Sequence, residues 1–348
     1  MQGHRTLVVG ASGYSGAIVS RLVAAHPAFS LAAVTSDKLA GKPATQRLGA
    51  GVSTNLVFSK NGEATELSRN CDLVFLATPA EASAELVPHI LEYTSAKVVD
   101  LSGAFRLENE ADYPTHYNFT HPSAALLNTA HYGLPELFGP PPAGTRLISN
   151  PGCYPTATLL ALAPLVKSGL VETTGLIVDA KSGVSGAGVQ AKEEYSFVEI
   201  AEDLRAYKVL SHQHTPEIKR HLSRAANTAI GDLTFTPHLI PIKRGLLSTC
   251  YARPKPGVTP KQIEECFANA YSTSAFVDVV APAAVTLKSV AGTNRARVGF
   301  AVNSDVVIAI GAIDNLVKGA AGQAVQNANL LFGLPETMGL SHLEPLHP

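Results

Sequence analysis

Charged side chains are scarce: Asp, Glu, Lys and Arg make up 16% of the chain, against about 25% in an ordinary soluble domain. So low a share implies that an unusual part of the surface is hidden, and contact between subunits is one place to hide it. Neither sign is in excess, with 27 basic and 28 acidic residues. Nucleic acid and acidic membrane surfaces are thereby excluded as main partners, because both are gripped by clustered positive charge. Cysteine is sparse as well, and Cys71, Cys153, Cys250 and Cys266 lie far apart with no CxxC pair. Free thiols in a reducing compartment fit that pattern; a zinc site or a disulfide framework does not. Repeats and low-complexity segments are lacking. No cleavable leader is visible either, since Arg5 to Gly10 already reads as a buried strand entering a glycine turn. The expected location is the cytoplasm, unless an organelle leader has been removed. One long uncharged stretch, Leu147 to Val166, is interrupted by Asn150, Gly152 and the prolines Pro151, Pro155 and Pro164, so it reads as soluble and not as a membrane span.

What is present is ample apolar material, 46% of 348 residues, which at about 150 residues per domain suggests two domains. In the first part, Thr6–Val9, Leu31–Val34, Leu73–Ala77 and Val98–Leu101 are continuous apolar runs, the pattern of a parallel sheet covered on both faces. A helical stretch from Gly16 to Ala25, closed by His26-Pro27, sits between the first two runs and makes a βαβ unit with its ligand side at the carboxyl ends of the strands. After Pro151 the texture changes. Leu176–Asp179, Leu233–Ile240, Leu246–Arg253, Phe276–Val280, Arg297–Val302 and Val306–Ile310 read as strands with few long helices between them, which predicts a mixed or antiparallel sheet. The last strong helix signal runs from Asn315 to Leu330, with Gly333 behind it, and is expected to return to the first domain.

Gly10-Ala-Ser12-Gly13-Tyr14-Ser15-Gly16 lies between a strand and a helix. There glycines let the backbone approach a pyrophosphate, and the helix N-terminus offers free N–H groups. The spacing is GxxGxxG, not the commoner GxGxxG. At the end of the second strand, Thr35-Ser36-Asp37-Lys38 supplies hydroxyls and a cation suited to a 2′-phosphate, while Asp37 argues for a free ribose 2′-OH; the balance favours NADP.

The sharpest local signal is Ser149-Asn150-Pro151-Gly152-Cys153-Tyr154-Pro155, followed by an apolar run. Pro155 suits the first turn of a helix, where its missing N–H is no loss. Cys153 then stands at the positive end of that helix, which favours its thiolate and hence nucleophilic attack, and its backbone N–H could steady an oxyanion. A second helix entry is written in His212-Gln213-His214-Thr215-Pro216-Glu217, with Thr215 as the expected cap and Pro216 at the first position. Either histidine would be kept neutral there and able to take a proton near pH 7. No further ligand cluster lies nearby, so no metal is expected. Lys243-Arg244-Gly245 and the loop Ser182-Gly-Val-Ser185-Gly186-Ala-Gly188 are candidate anion grips through a guanidinium fork and backbone N–H groups. A thiol, a dinucleotide turn and anion grips together suggest an acyl phosphate reduced through a thioester.

These residues carry a resemblance. The segments VGASGYSGA, VVDLSGAFRL, HYGLPEL, SNPGCYPTATLLALAP, KSGVSGAG, HQHTPEIK, FTPHLIPIKRGLLST and DNLVKGAAGQAVQNANL run nearly end to end along the chain. In that order they resemble the N-acetyl-gamma-glutamyl-phosphate reductases of the aspartate-semialdehyde dehydrogenase superfamily. The resemblance implies an α/β fold: a Rossmann-type dinucleotide-binding domain over residues 1–152, and an α+β catalytic and oligomerisation domain with a mixed sheet over residues 153–314. It implies an NADP-dependent oxidoreductase of arginine biosynthesis, with Cys153 as nucleophile and His214 as the proton carrier. The cofactor set it implies is Gly10, Ser12, Gly13, Tyr14, Ser15, Gly16, Thr35, Ser36, Lys38, Ala77, Thr78, Pro79, Ser185, Gly186 and Asn315. Substrate would meet Arg106, Asn150, Ser182, His212, Glu217 and Arg244, and the assembly would be a homodimer or homotetramer. The chain departs from the family pattern at Ala104, where an acid is common, and at Gln190 and Gln213, where arginine is common. Aspartyl phosphate, a one-carbon-longer acyl phosphate with a blocked or carrier-bound amine, and a non-catalytic nucleotide sensor remain as rival readings.

Overall fold

A computed structural model describes residues 3–190 and 192–345. The chain divides into two compact units, each built around a seven-stranded sheet.

The first unit comprises Met1–Pro135, Gly139–Gly152 and Ala320–His342. Its strands are β1 (His4–Val9), β2 (Phe29–Thr35), β3 (Phe58–Ser59), β4 (Leu73–Leu76), β5 (Lys97–Asp100), β6 (His131–Tyr132) and β7 (Leu147–Ser149). They run in the order β3-β2-β1-β4-β5-β7-β6, and every pairing is parallel. Leu7, Val8, Val9 and all of β4 are fully buried, as strands covered on both faces must be. The order reverses at β1, so the ends of β1 and β4 form a topological switch point, where sheets of this kind bind ligands. The helix after β1 runs Tyr14–Ala24, starting earlier than the composition suggests because Gly13 takes the extended cap position. Two further helices, Ala80–Tyr93 and Gly322–Leu331, complete the layers; the latter packs on β5 and on the Tyr14–Ala24 helix. Asn327 on it donates to Gly133 O at 2.8 Å and to Asn150 Oδ1 at 2.9 Å.

The expected single helix over 315–330 is interrupted. Val317–Ala321 forms a π-turn, closed by the Gly319 N–H donating to Asp314 O at 2.9 Å, and only from Gly322 does a regular helix run. Asp314 Oδ1 accepts from the N–H groups of Leu316 and Val317, pinning the chain where it leaves the preceding strand.

The second unit comprises Glu136–Phe138, Cys153–Gly319 and Leu343–Pro348. Its strands are β8 (Leu176–Gly183), β9 (Arg205–Ala206), β10 (Leu233–Ile240), β11 (Leu246–Ala252), β12 (Val277–Val279), β13 (Ala296–Val302) and β14 (Val307–Ile313). The order is β12-β13-β14-β11-β8-β10-β9. The sheet is mixed, with β8/β10 and β12/β13 parallel and the other pairs antiparallel. Three helices are substantial: Cys153–Lys167 precedes these strands, and His214–Ala226 and Pro260–Tyr271 run between them. The third begins with a capping box, Thr259 accepting from the Gln262 N–H, and Pro260 in the first turn, a signal present in the sequence. The first is buried at every residue from Tyr154 to Val166, which explains its uncharged sequence: a helix apolar all round belongs inside a core. It lies on β11, β13 and β14, so closely that a Cβ at Gly311 would stand 2.5 Å from Ala157 O.

The opposite sheet face is more open. Ile177, Asp179 and Lys181 on β8, Thr234, Thr236 and His238 on β10, and Leu247, Thr249 and Tyr251 on β11 alternate with buried residues and stay half-buried or exposed. Asp179 binds Lys181 Nζ at 2.6 Å and His238 Nδ1 at 3.1 Å there. A buried ion pair also belongs to this unit: Lys318 Nζ lies 2.5 Å from Glu136 Oε1, with side chains 0% and 3% exposed. Among the described residues no helix is long and apolar enough to cross a membrane.

Candidate active site

Cys153 is the first residue of its helix. A cavity of about 320 Å³ opens over it in the second unit. Of the residues singled out in the sequence, Cys153, Ser182, Gly186, His212 and His214 line this cavity together. Gly319 presses on Cys153 from the π-turn: a Cβ there would stand 2.8 Å from Cys153 Cβ.

His214 is the first residue of the His214–Ala226 helix, so that helix starts earlier than Thr215 capping would allow. The cap at Gln213 brings no side-chain hydrogen bond, and the buried Thr215 Oγ1 has no hydrogen-bond partner. His212 acts instead, its Nδ1 accepting from the His214 N–H at 3.1 Å. Its ring is enclosed by those of Tyr154, Tyr207 and Phe235 at 5.3–5.6 Å between centroids. Burial first, then the nearby Lys208 charge, pushes the His212 imidazole down to about 3, so it is neutral and, with Nδ1 accepting, protonated at Nε2. The Tyr207 hydroxyl donates to Tyr154 Oη at 3.1 Å, and Tyr154 donates to His238 O at 3.2 Å. Burial holds both phenols well above their ordinary range.

Sequence reading does not single out the cations of this cavity. Lys192, Arg205 and Lys208 line it, Arg205 from the short edge strand β9 and the two lysines from the loops on either side of it. Among the described residues the only carboxylate in the lining, Glu194, is 3.5 Å from Lys192 Nζ.

Other expected substrate residues are placed elsewhere. Arg244 is gripped by the fully buried Asp314 carboxylate, Nε to Oδ2 at 3.2 Å and Nη2 to Oδ1 at 3.3 Å. Glu217 is buried in the first turn of the His214–Ala226 helix. Neither lines the cavity. Arg106 and Asn150 belong to the first unit, where Arg106 donates to Asn150 O and Leu101 O at 2.8 and 2.7 Å. Of the expected cofactor residues in the second unit, Asn315 donates to Ser185 Oγ at 2.9 Å and accepts from the Gly245 N–H.

The glycine turn shows why its residues are what they are. Gly10 has φ +78°, and a Cβ there would stand 2.6 Å from Ala77 O; one at Gly16 would stand 2.3 Å from Gly10 O. The turn is therefore drawn against the end of β4, bringing Ala77 and Thr78 beside it, while Pro79 takes the cap position of the Ala80–Tyr93 helix. Gly13 caps the helix without a side chain, and the first turn carries no acid, which leaves its N–H end suited to a pyrophosphate. Thr35 Oγ1 accepts from the Gly10 N–H, and Ser36 donates to Ser12 Oγ at 2.7 Å. Asp37 is occupied by the Asn61 backbone and side-chain N–H groups at 2.8 and 2.9 Å. Lys38 is exposed. Arg47, also missed in sequence, donates to Ser12 O at 2.8 Å and lies over the Tyr14 ring.

Residues 5–141 match the family described as semialdehyde dehydrogenase, NAD binding domain, and residues 153–315 match semialdehyde dehydrogenase, dimerisation domain. Aspartate semialdehyde dehydrogenase II from Vibrio cholerae, solved in complex with ASA, shares the fold with a TM-score of 0.72 at 16% identity, over 96% of this chain and 99% of that one. Much nearer in sequence is N-acetyl-gamma-glutamyl-phosphate reductase of Desulforapulum autotrophicum, 42% identical over 97% of each chain. The protein of the same name from Campylobacter jejuni is 43% identical over 96% of each. On that near full-length identity, the chain belongs to the N-acetyl-gamma-glutamyl-phosphate reductase family.

Proposed function

We propose that this chain reduces N-acetylglutamate 5-phosphate to N-acetylglutamate 5-semialdehyde and phosphate with NADPH, in arginine biosynthesis. The observation that carries the reading is Cys153 at the head of a buried helix, in one cavity with His214. The Cys153 thiolate, favoured by the helix N-terminus, attacks the acyl carbon; a C–S bond forms, the C–O bond to phosphate breaks and phosphate leaves. NADPH supplies the hydride that reduces the resulting thioester. The Cys153 N–H steadies the oxyanion, collapse returns the thiolate, and His214 carries the proton. Lys192, Arg205 and Lys208 offer positive charge to a substrate that bears a phosphate and a carboxylate. The same lining argues for the blocked amine. Among the described residues that line the cavity the one carboxylate, Glu194, is already beside Lys192, so a free α-ammonium would have to turn to Glu217 outside that lining, whereas an acetamide needs no carboxylate.

Residues 1–152 are the dinucleotide-binding domain in this reading, and residues 153–314 the catalytic and oligomerisation domain. The Gly10–Gly16 turn holds the pyrophosphate, with Ala77 and Thr78 beside it, and Pro79, Ser185, Gly186 and Asn315 complete the cofactor set. Asp37 is taken by Asn61, while Lys38, Arg47 and the Ser12/Ser36 hydroxyls are left for a 2′-phosphate, which supports NADP over NAD. Arg106, Asn150, Glu217 and Arg244 remain assigned to the substrate side on the resemblance. The protein works in the cytoplasm as a homodimer or homotetramer, a second copy covering the open face of the β8/β10/β11 sheet. The deciding experiment is phosphate-dependent nicotinamide reduction, comparing N-acetylglutamate semialdehyde with aspartate semialdehyde and NADP with NAD. Preference for the free amino aldehyde would overturn the substrate assignment. Full turnover by Cys153→Ser would overturn the thioester.

A further inference from the structure

We propose that His212 is a positioning residue for His214: its imidazole caps the helix that His214 begins and thereby sets where the catalytic base stands. The inference rests on the reading of His214 as proton carrier. A helix leaves its first N–H groups unbonded, and a side chain ahead of it that accepts one of them fixes the first turn. Here the N–H at stake is that of His214 itself, and the acceptor is His212 Nδ1 at 3.1 Å. The usual acceptors of such a cap do not serve here: Gln213 makes no side-chain cap bond, and the Thr215 hydroxyl, buried, makes no hydrogen bond.

An imidazole can hold this post only if it stays neutral and cannot turn. Both conditions are met. Tyr154, Tyr207 and Phe235 stand edge-on to its ring, and His214 packs on it at 4.8 Å between centroids. The charged neighbour is Lys208, which opposes protonation together with burial; the two phenols remain protonated. A charged His212 would lose its acceptor and release the His214 N–H. Because Tyr154 follows the nucleophile directly in sequence, the cage that orients His212 is built on the same helix start that presents Cys153.

Two substitutions separate this role from packing. His212→Asn keeps an acceptor, since Asn Oδ1 is a natural helix cap, but empties part of the cage. His212→Phe fills the cage and cannot accept. Positioning requires kcat to follow the acceptor: the Phe variant should lose about 10- to 100-fold in kcat, as misplacement of a reacting group by about 1 Å does, while the Asn variant loses much less. KM for the acyl phosphate should move little in either. Stability should follow the opposite order, with the Phe variant the higher in Tm. If kcat tracks Tm across the pair, His212 is only a packing residue and the proposal fails. A raised KM with unchanged kcat would overturn it in favour of direct substrate contact. His214→Gln serves as the control. Should it retain turnover, the reading of His214 falls; should it be inactive while His212→Phe keeps its kcat, only the positioning role falls.

Discussion

Gly319→Ala puts one methyl group where the backbone has no room for it. A Cβ at Gly319 would lie 2.8 Å from Cys153 Cβ, 3.2 Å from Cys153 Cα and 3.1 Å from Ile313 Cδ1. Carbon atoms rest at about 3.5–4.0 Å, so the shortfall against Cys153 Cβ is roughly 0.7–1.2 Å. Ile313 Cδ1 ends a flexible side chain and can turn away. Cys153 cannot, because the helix behind it is buried from Tyr154 to Val166. The strain thus falls on the thiol and on the π-turn that faces it. Overpacking of this kind costs about 1–3 kcal/mol of stability, and a nucleophile displaced by about 1 Å loses about 100-fold in rate. The assay is NADPH consumption with the acyl phosphate, read beside a urea unfolding curve and the rate of thiol alkylation. The expected result is kcat down about 100-fold with the Kd for NADPH unchanged, since the glycine turn is built by other residues. A variant destabilised as expected yet retaining wild-type kcat and alkylation rate would refute the idea that this close contact sets the thiol's place.

Arg47→Ala should raise KM for NADPH and leave KM for NADH nearly as it was, measured by steady-state kinetics with each cofactor; equal effects would remove Arg47 from 2′-phosphate recognition. Lys318→Met alone should cost about 3–5 kcal/mol, because it leaves Glu136 buried without its cation, whereas Lys318→Met with Glu136→Gln should cost distinctly less. Urea midpoints of the single and double variants test this, and additive losses would count against it. For pH, His212 refuses a proton in the folded chain down to about 3, while in the unfolded chain it titrates near 6.5. Its contribution is therefore complete above about pH 6.5 and is lost on acidification, by up to about 1.4 kcal/mol per pH unit. His212→Phe should flatten the fall in unfolding free energy between pH 7 and pH 5; an unchanged slope would contradict the assignment.

The parts legible in the sequence are those specified locally. Asn150-Pro151-Gly152-Cys153 announces a helix start within a few residues, and the glycine turn is written between a strand and a helix; both are where composition puts them. The His214 entry is legible as an entry but not in its capping, because an imidazole in a cage of three rings substitutes for the hydroxyl that the pattern suggests. Arg47 reaches Ser12 in the glycine turn across 35 residues, and Asn61 reaches Asp37 beyond the second strand across 24, both from segments with no periodicity to betray them. Lys192, Arg205 and Lys208 are hidden for the same reason. The π-turn has no signature in composition, since what shapes it is the approach of Gly319 to Cys153, a contact between residues far apart in the chain.

The segment Glu136–Phe138 and the stretch from Ala320 to His342 each belong to the unit that the surrounding sequence does not build. During synthesis, this interleaving sets a schedule. The first unit's parallel sheet can begin to pair early, but the helix Gly322–Leu331 that packs on β5, and the Asn327 that ties Gly133 to Asn150, leave the ribosome only after the whole second sheet. Glu136, in turn, waits through more than half of translation for Lys318 to neutralise it. Neither unit can therefore be released complete ahead of the other, and a ribosome stalled near residue 310 should hold two protease-sensitive halves instead of one finished domain and one growing tail.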